Sequence, residues 1–163
     1  MTCYQKMEVY LRQQGVPFEQ QHHRIAFTAH EVAASEHLPG DIVAKVVMVF
    51  ADGAMAMLVL PASHRTDLTK AAAALDAKDV WLADEHEFAA LFPDCELGAM
   101  PPFGNLYGVP VYMDQTLSED ETIVFQAGTH TETISMAYAD YARLVKPQIV
   151  DVVRDARALA VQF

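Results

Sequence analysis

A chain of 163 residues, 52% hydrophobic and 20% charged, is long enough to bury a core as one domain without disulfides or metals to staple it. Its 22 acidic against 11 basic residues leave a formal charge of −11, which argues against a broad surface for phosphate backbones. No stretch approaches the roughly eighteen uninterrupted apolar residues of a membrane span, and the opening MTCYQKMEVYLRQQG lacks a secretory apolar core, so a cytoplasmic protein with no membrane partner is expected.

In chain order, Cys3, Tyr4, Met7 and Leu11 recur at helical spacing until Gly15-Val16-Pro17, which predicts a first helix followed by extended chain. Thr28 and Glu31 have capping-box spacing and predict a short second helix ending at Leu38-Pro39-Gly40. The β-branched run Ile42–Phe50, the turn Asp52-Gly53 and the apolar run AMAMLVLP predict a hairpin. Asp67 to Leu75 reads as a helix, Val80-Trp81-Leu82 as a short strand, and Glu85 to Leu91 as another helix.

From Phe92 to Gly108 the density of proline and glycine forbids regular structure and predicts a shaped loop. Strands are expected at VPVYMD, TIVFQAG and TETISMA, the last with Glu132, Ile134 and Met136 on one face and Thr131, Thr133 and Ser135 on the other. A helix over Ala139–Val145 stops at Lys146-Pro147, and the tail, residues 148–163, is expected to be helical. With no internal repeat and no linker, the expectation is a single domain over residues 1–163. Its fold class is α+β: a largely antiparallel mixed sheet, partly closed and surrounded by helices.

Several chemistries lose their supports. His30-Glu31 and His86-Glu87 open like zinc-protease helices, but Ala34 and Ala90 stand where the second ligand belongs, so no metal is expected. Cys3 and Cys95 have no close-spaced partners and are expected to be reduced thiols. There is no nucleophile elbow, no dinucleotide fingerprint and no phosphate-binding P-loop, and no cofactor is implied.

Three features remain. Lys45 stands in the most apolar strand, on the face of Val43, Val47 and Val49, where an unpartnered ammonium is costly. Either its stem lies along the sheet with the charge reaching an edge or a carboxylate, or it is a cation aimed into a ligand cleft. The segment GAMPPFG, Gly98 to Gly104, is either an ordinary proline-glycine turn or a loop that grips a ligand through its backbone. In AGTH, Gly128 and His130 precede the alternating strand, where a histidine can be structural or functional.

Together these elements resemble the YbaK and prolyl-tRNA-synthetase-associated domain family. The match runs through Lys45, Pro61-Ala62 with Asp67-Leu68-Thr69-Lys70, Gly98 to Pro102, Pro110 to Asp114, Phe125 to Gly128, and Asp140 to Pro147. The resemblance implies a YbaK-like fold and a metal-independent, trans-acting hydrolase of the ester in mischarged transfer RNA, usually tRNA carrying the proline anticodon.

It further implies that Lys45 binds the terminal phosphate or ribose, that the backbone of Gly98, Ala99, Met100, Pro101 and Pro102 holds the aminoacyl group, and that His130 beside Gly128 lines the pocket. Lys45, Gly98, Pro102 and His130 are the implied catalytic positions. The implied partners are the aminoacyl-tRNA acceptor end and an aminoacyl-tRNA synthetase. Val46 stands where relatives place a polar residue, which leaves alanine, cysteine and serine open as the amino acid. Holding only a single-stranded acceptor end answers the charge objection, with Arg24, Arg65, Lys70 and Arg143 as a local basic rim. Two rivals stand beside this: a module that binds an amino acid, an aminoacyl end or a synthetase without turnover, and a hydrolase of another small acyl ester.

Overall fold

The computed structural model describes residues 1–22 and 42–154. Helix α1 (Cys3–Gln13) begins with a reciprocal cap: Thr2 Oγ1 accepts from the Gln5 amide, and the Gln5 side chain accepts from the Thr2 amide. Its buried Cys3, Met7 and Leu11 form one stripe at four-residue spacing. The extended segment after Pro17 is strand β1 (Phe18–His22).

The predicted hairpin is β2 (Ala44–Ala51) with β3 (Ala54–Pro61), antiparallel with Lys45 opposite Leu60. Asp52 and Gly53 take φ of 50° and 87°, the two-residue turn whose twist suits the flanking strands. The Asp52 carboxylate accepts from the amides of Lys78 (3.0 Å) and Asp79 (2.9 Å), which ties this turn to the entry of β4 (Val80–Leu82). Helix α2 (Leu68–Ala74) is capped by Asp67, and α3 (Glu85–Ala89) by an Asp84–Glu87 box.

The loop from Phe92 contains only a 3-10 turn, Gly104–Leu106, before β5 (Val111–Asp114). Strands β6 (Thr122–Gln126) and β7 (Glu132–Ala137) follow, then α4 (Tyr138–Val145). Two sheets result. One has the order β1-β7-β6 and is antiparallel; the other, completed by β8 (Gln148–Val150), runs β4-β2-β3-β5-β8, with β5 parallel to both β3 and β8. Neither closes on itself. They meet at a parallel bridge between Val43 and Val124.

The strand period of two divides the core. Met57 and Val59 of β3 face a main cluster that includes Met7, Leu11, Phe103 and Phe125, while Leu58 and Leu60 face a smaller one with Ala71 and Val152. In β7, Ile134 and Met136 join the main cluster as the alternation requires, yet Thr133 is buried too, so this end of the three-stranded sheet is covered on both faces.

Two expectations are corrected. The tail does not continue as a helix from Gln148: residues 148–150 are strand β8. Lys146 in the left-handed region (φ 52°) ends α4, and the open edge of β5 supplies backbone partners to the apolar segment that follows. Buried Asp114 fixes the exit, its Oδ1 accepting from the Val152 amide at 2.9 Å. Nor are the cysteines free: Cys3 and Cys95 form a disulfide with Cα atoms 5.0 Å apart, because the first turn of α1 lies on the loop after Phe92. The Cys3 amide donates to the Asp94 carbonyl at 3.1 Å. The helix expected between Thr28 and Leu38, the His30-Glu31 pair and the end of the tail lie outside the described residues.

Candidate active site

The Gly98–Pro102 loop is held from both sides. Gly98 takes φ +85°, and Ala99 to Pro102 are buried, so the segment is a seated turn. Tyr141 of α4 donates its hydroxyl to the Pro102 carbonyl at 2.6 Å. Burial, with Tyr138 beside it, pushes the Tyr141 phenol far above its ordinary range and keeps it a donor. Phe103, next in the chain, packs edge-on against the same tyrosine at 5.2 Å and tilted against Phe125 at 5.4 Å.

On the other side lies the turn after β6. The Gly128 amide donates to the Ala99 carbonyl (2.8 Å), and the Gly128 carbonyl accepts from the Glu96 amide (2.8 Å). Gly128 is required here. Its φ is +95°, and a Cβ at this position would lie 2.5 Å from both Cβ and Sγ of Cys3.

His130 completes the clamp. Its amide donates to Glu96 Oε2 at 3.0 Å, and its Nε2 lies 2.9 Å from the Leu97 carbonyl. A carbonyl oxygen only accepts, so Nε2 carries the proton. The same Glu96 oxygen is 3.8 Å from Nε2. Two of the three features singled out in the sequence, the Gly98–Pro102 loop and the Gly128–His130 turn, are therefore one hydrogen-bonded unit. Glu96 and Leu97, which join them, carried no local signal; Tyr141 lay within the Asp140–Pro147 motif, without an indication of its role.

Lys45 is placed differently. It is half-buried on the face of β2 that carries Val47 and Val49, whereas Val46 turns the other way and packs against the main core. Burial first, and then the charge of Arg65, lower its pKa from the ordinary 10.5, and among the described residues no carboxylate pairs with it. Among the described residues no hydrogen bond or ion pair joins it to Gly98–Pro102. Its connection to the unit is through the strands: from the Val43–Val124 bridge, β2 and β6 run the same way, Lys45 lying two residues beyond the bridge and β6 leading directly to Gly128.

The basic rim shrinks. Lys70 pairs with Asp151 (3.2 Å) and Arg143 with Asp140 (3.4 Å), which leaves Arg65 beside Lys45. Arg24 lies outside the described residues. Two open surface clefts among the described residues, about 480 Å³ by Lys70 and Ile149 and about 520 Å³ by Phe18 and Ser135, contain none of Lys45, Gly98–Pro102, Gly128 and His130. His86 and Glu87 are exposed on α3. Among the described residues no helix is long and apolar enough to cross a membrane.

The Multifunctional Ser/Thr-tRNA deacylase ProXp-y of Escherichia coli strain K12 is 30% identical over 101 residues, covering 61% of this chain and 60% of its own. The protein of the same name from Escherichia coli O157:H7 matches equally, so the chain spans about 60% of the length of these curated relatives. The solved structure of a proposed trans-editing enzyme for prolyl tRNA synthetase superposes with a TM-score of 0.80 at 18% identity, over 95% of this chain and 99% of that one, which shows a shared fold. A family model described as the aminoacyl-tRNA editing domain matches residues 23–144, and with the coverage that match gives, the chain belongs to the aminoacyl-tRNA editing domain family.

Proposed function

We propose that this chain is a single-domain, trans-acting deacylase that hydrolyses the ester of mischarged transfer RNA, with tRNA-Pro carrying alanine, cysteine or serine as its substrate class. The observation that carries it is the clamp on the Gly98–Pro102 loop: the Gly128 amide donates to the Ala99 carbonyl at 2.8 Å, and Glu96 and Leu97, just before the loop, bind Gly128 and His130 at 2.8–3.0 Å. Serine is the amino acid that this list shares with the Ser/Thr-tRNA deacylase relatives.

The chemistry is a hydrolysis. Water adds to the ester carbonyl, the carbonyl oxygen gathers negative charge, and collapse expels the ribose oxygen, which takes up a proton. Free amino acid and transfer RNA leave. An aminoacyl ester is labile, so a fixed amide donor at the developing oxyanion and one positioned water supply much of the acceleration.

The loop offers such donors. Among the described residues the Met100 amide has no backbone acceptor, and the Gly98 amide has only the thioether of Met100, at 3.3 Å. His130 spends its Nε2 proton on Leu97 and so clamps the loop rather than acting as a proton donor through that nitrogen. Lys45 and Arg65 supply positive charge for the terminal phosphate, and Val46 borders the amino-acid side. A few phosphates suffice for an acceptor end, so a net charge of −11 is compatible with such a substrate. The enzyme needs no metal in this scheme, works in the cytoplasm and meets an aminoacyl-tRNA synthetase as a partner.

The test is a panel of transfer RNAs mischarged with small amino acids, scored for hydrolysis above the spontaneous rate. Hydrolysis of seryl-, alanyl- or cysteinyl-tRNA-Pro is expected. Binding of charged transfer RNA with an unchanged ester half-life would select the non-catalytic module instead, and turnover of free acyl esters alone would select a different hydrolase.

A further inference from the structure

The disulfide lies directly under the clamp. Cys95 immediately precedes Glu96, whose amide and carboxylate bind Gly128 and His130, while the Cys3 side chain occupies the space that the missing Cβ of Gly128 leaves. Both sulfurs sit near the Tyr107 hydroxyl, at 3.4 Å from Cys3 Sγ and 3.3 Å from Cys95 Sγ. Burial and the charge of Asp94 push the Tyr107 phenol up to about 12, so it remains a donor. Lys6, one turn into α1, pairs with Asp94 at 2.8 Å. Helix α1, the loop and the β6–β7 turn converge on this bond.

We propose that Cys3–Cys95 is a reversible thiol–disulfide exchange site, taking low-molecular-weight thiols and disulfides as co-reactants, whose state sets how firmly the Gly98–Pro102 loop is held. Its two sulfurs are unequal. Cys3 is 1% exposed and is the first residue of α1, where the helix dipole stabilises a thiolate; Cys95 is only half-buried.

A small thiolate therefore attacks Cys95 Sγ, forming a mixed disulfide and expelling Cys3 as the thiolate. A second small thiol attacks the mixed disulfide, releasing Cys95 and the oxidised small disulfide. The two protons of the small thiols end on the two protein sulfurs, and the reverse reaction needs only a small disulfide as oxidant. The bond spans 92 residues of sequence, so its loss removes the covalent tie between the start of α1 and the loop and leaves only the Cys3 amide and Lys6 bonds to Asp94. In a reducing compartment such a pair exchanges; in an oxidising one it persists.

The tether is independent of the activity, but its effect on hydrolysis rests on the function proposed above. The experiment compares the full chain after dithiothreitol and after diamide, beside a Cys3→Ser, Cys95→Ser variant. Alkylation with mass analysis counts thiols, hydrogen exchange follows the amides of Glu96, Gly128 and His130, and mischarged transfer RNA reports hydrolysis. The reduced protein is expected to alkylate at both cysteines, to exchange those amides at least about tenfold faster and to hydrolyse more slowly by a similar factor, while the variant ignores both reagents. Equal exchange in both states, or failure of the oxidant to form the bond, overturns the tether. Should the variant not fold, the two states of the unaltered chain still decide it. An exchange difference without hydrolysis in either state upholds the tether and removes the deacylase.

Discussion

The Tyr141 hydroxyl donates to the Pro102 carbonyl at 2.6 Å, so the last described helix holds the loop that carries the candidate site. Both groups are buried, and deletion of the hydroxyl strands an acceptor without water. Tyr141→Phe is expected to cost about 1–3 kcal/mol in denaturant unfolding, with kcat/KM for the mischarged substrate falling further than stability alone explains. Unfolding midpoints and single-turnover hydrolysis check this, and unchanged values for both would show that the bond does not hold the loop.

Gly128→Ala introduces a Cβ 2.5 Å from Cys3 into a residue with φ +95°. The strain and the clash together are expected to destabilise the fold by about 1–3 kcal/mol and to weaken the Glu96 and Ala99 bonds of the turn. Urea titration together with amide exchange at Glu96 measures both effects, and a variant as stable as the parent would mean that the turn relaxes freely.

Glu96→Ala removes the carboxylate that accepts from the His130 amide, whereas Glu96→Gln keeps an acceptor oxygen there. The alanine variant is expected to raise KM several-fold, about the effect of losing one positioned hydrogen bond, and the glutamine variant to restore most of it. Steady-state kinetics of the pair discriminates a positioning role from a charge effect. If Gln behaves like Ala, the charge matters and the acceptor does not.

Lys45 gives a pH dependence of defined sign. Burial and Arg65 lower its pKa from 10.5, so the folded state disfavours the charged form. That cost is fully present below the lowered pKa and is relieved as pH rises from there towards 10.5, so stability gains with pH over this window. Phosphate binding needs the charged form and is lost over the same window. Lys45→Met is expected to remove both dependences, to leave the fold intact and to lower kcat/KM by about a hundredfold. Chemical unfolding and hydrolysis followed from about pH 7 to about pH 10 decide it; equal turnover by the Met variant would take Lys45 out of the mechanism.

What the chain determines by itself is local. The Cys3-Met7-Leu11 stripe, the Asp52-Gly53 turn, the Asp67 cap and the alternation in β7 were legible because each depends on residues within about one or two turns of one another. The face on which Lys45 lies followed from the same period of two. The motif order that places the chain in its family was legible for the same reason, since most of its motifs are short segments whose backbone conformation their own prolines and glycines impose.

Tertiary structure decided what joins distant segments. Residues 148–150 became a strand because the open edge of β5 offered partners that no local pattern announces. Cys3 met Cys95, and Glu96 met Gly128 and His130, because α1, the long loop and the β6–β7 turn pack at one point. Such contacts depend on distance across the folded chain and on the free energy of closing long loops, neither of which is written in the spacing of neighbouring residues.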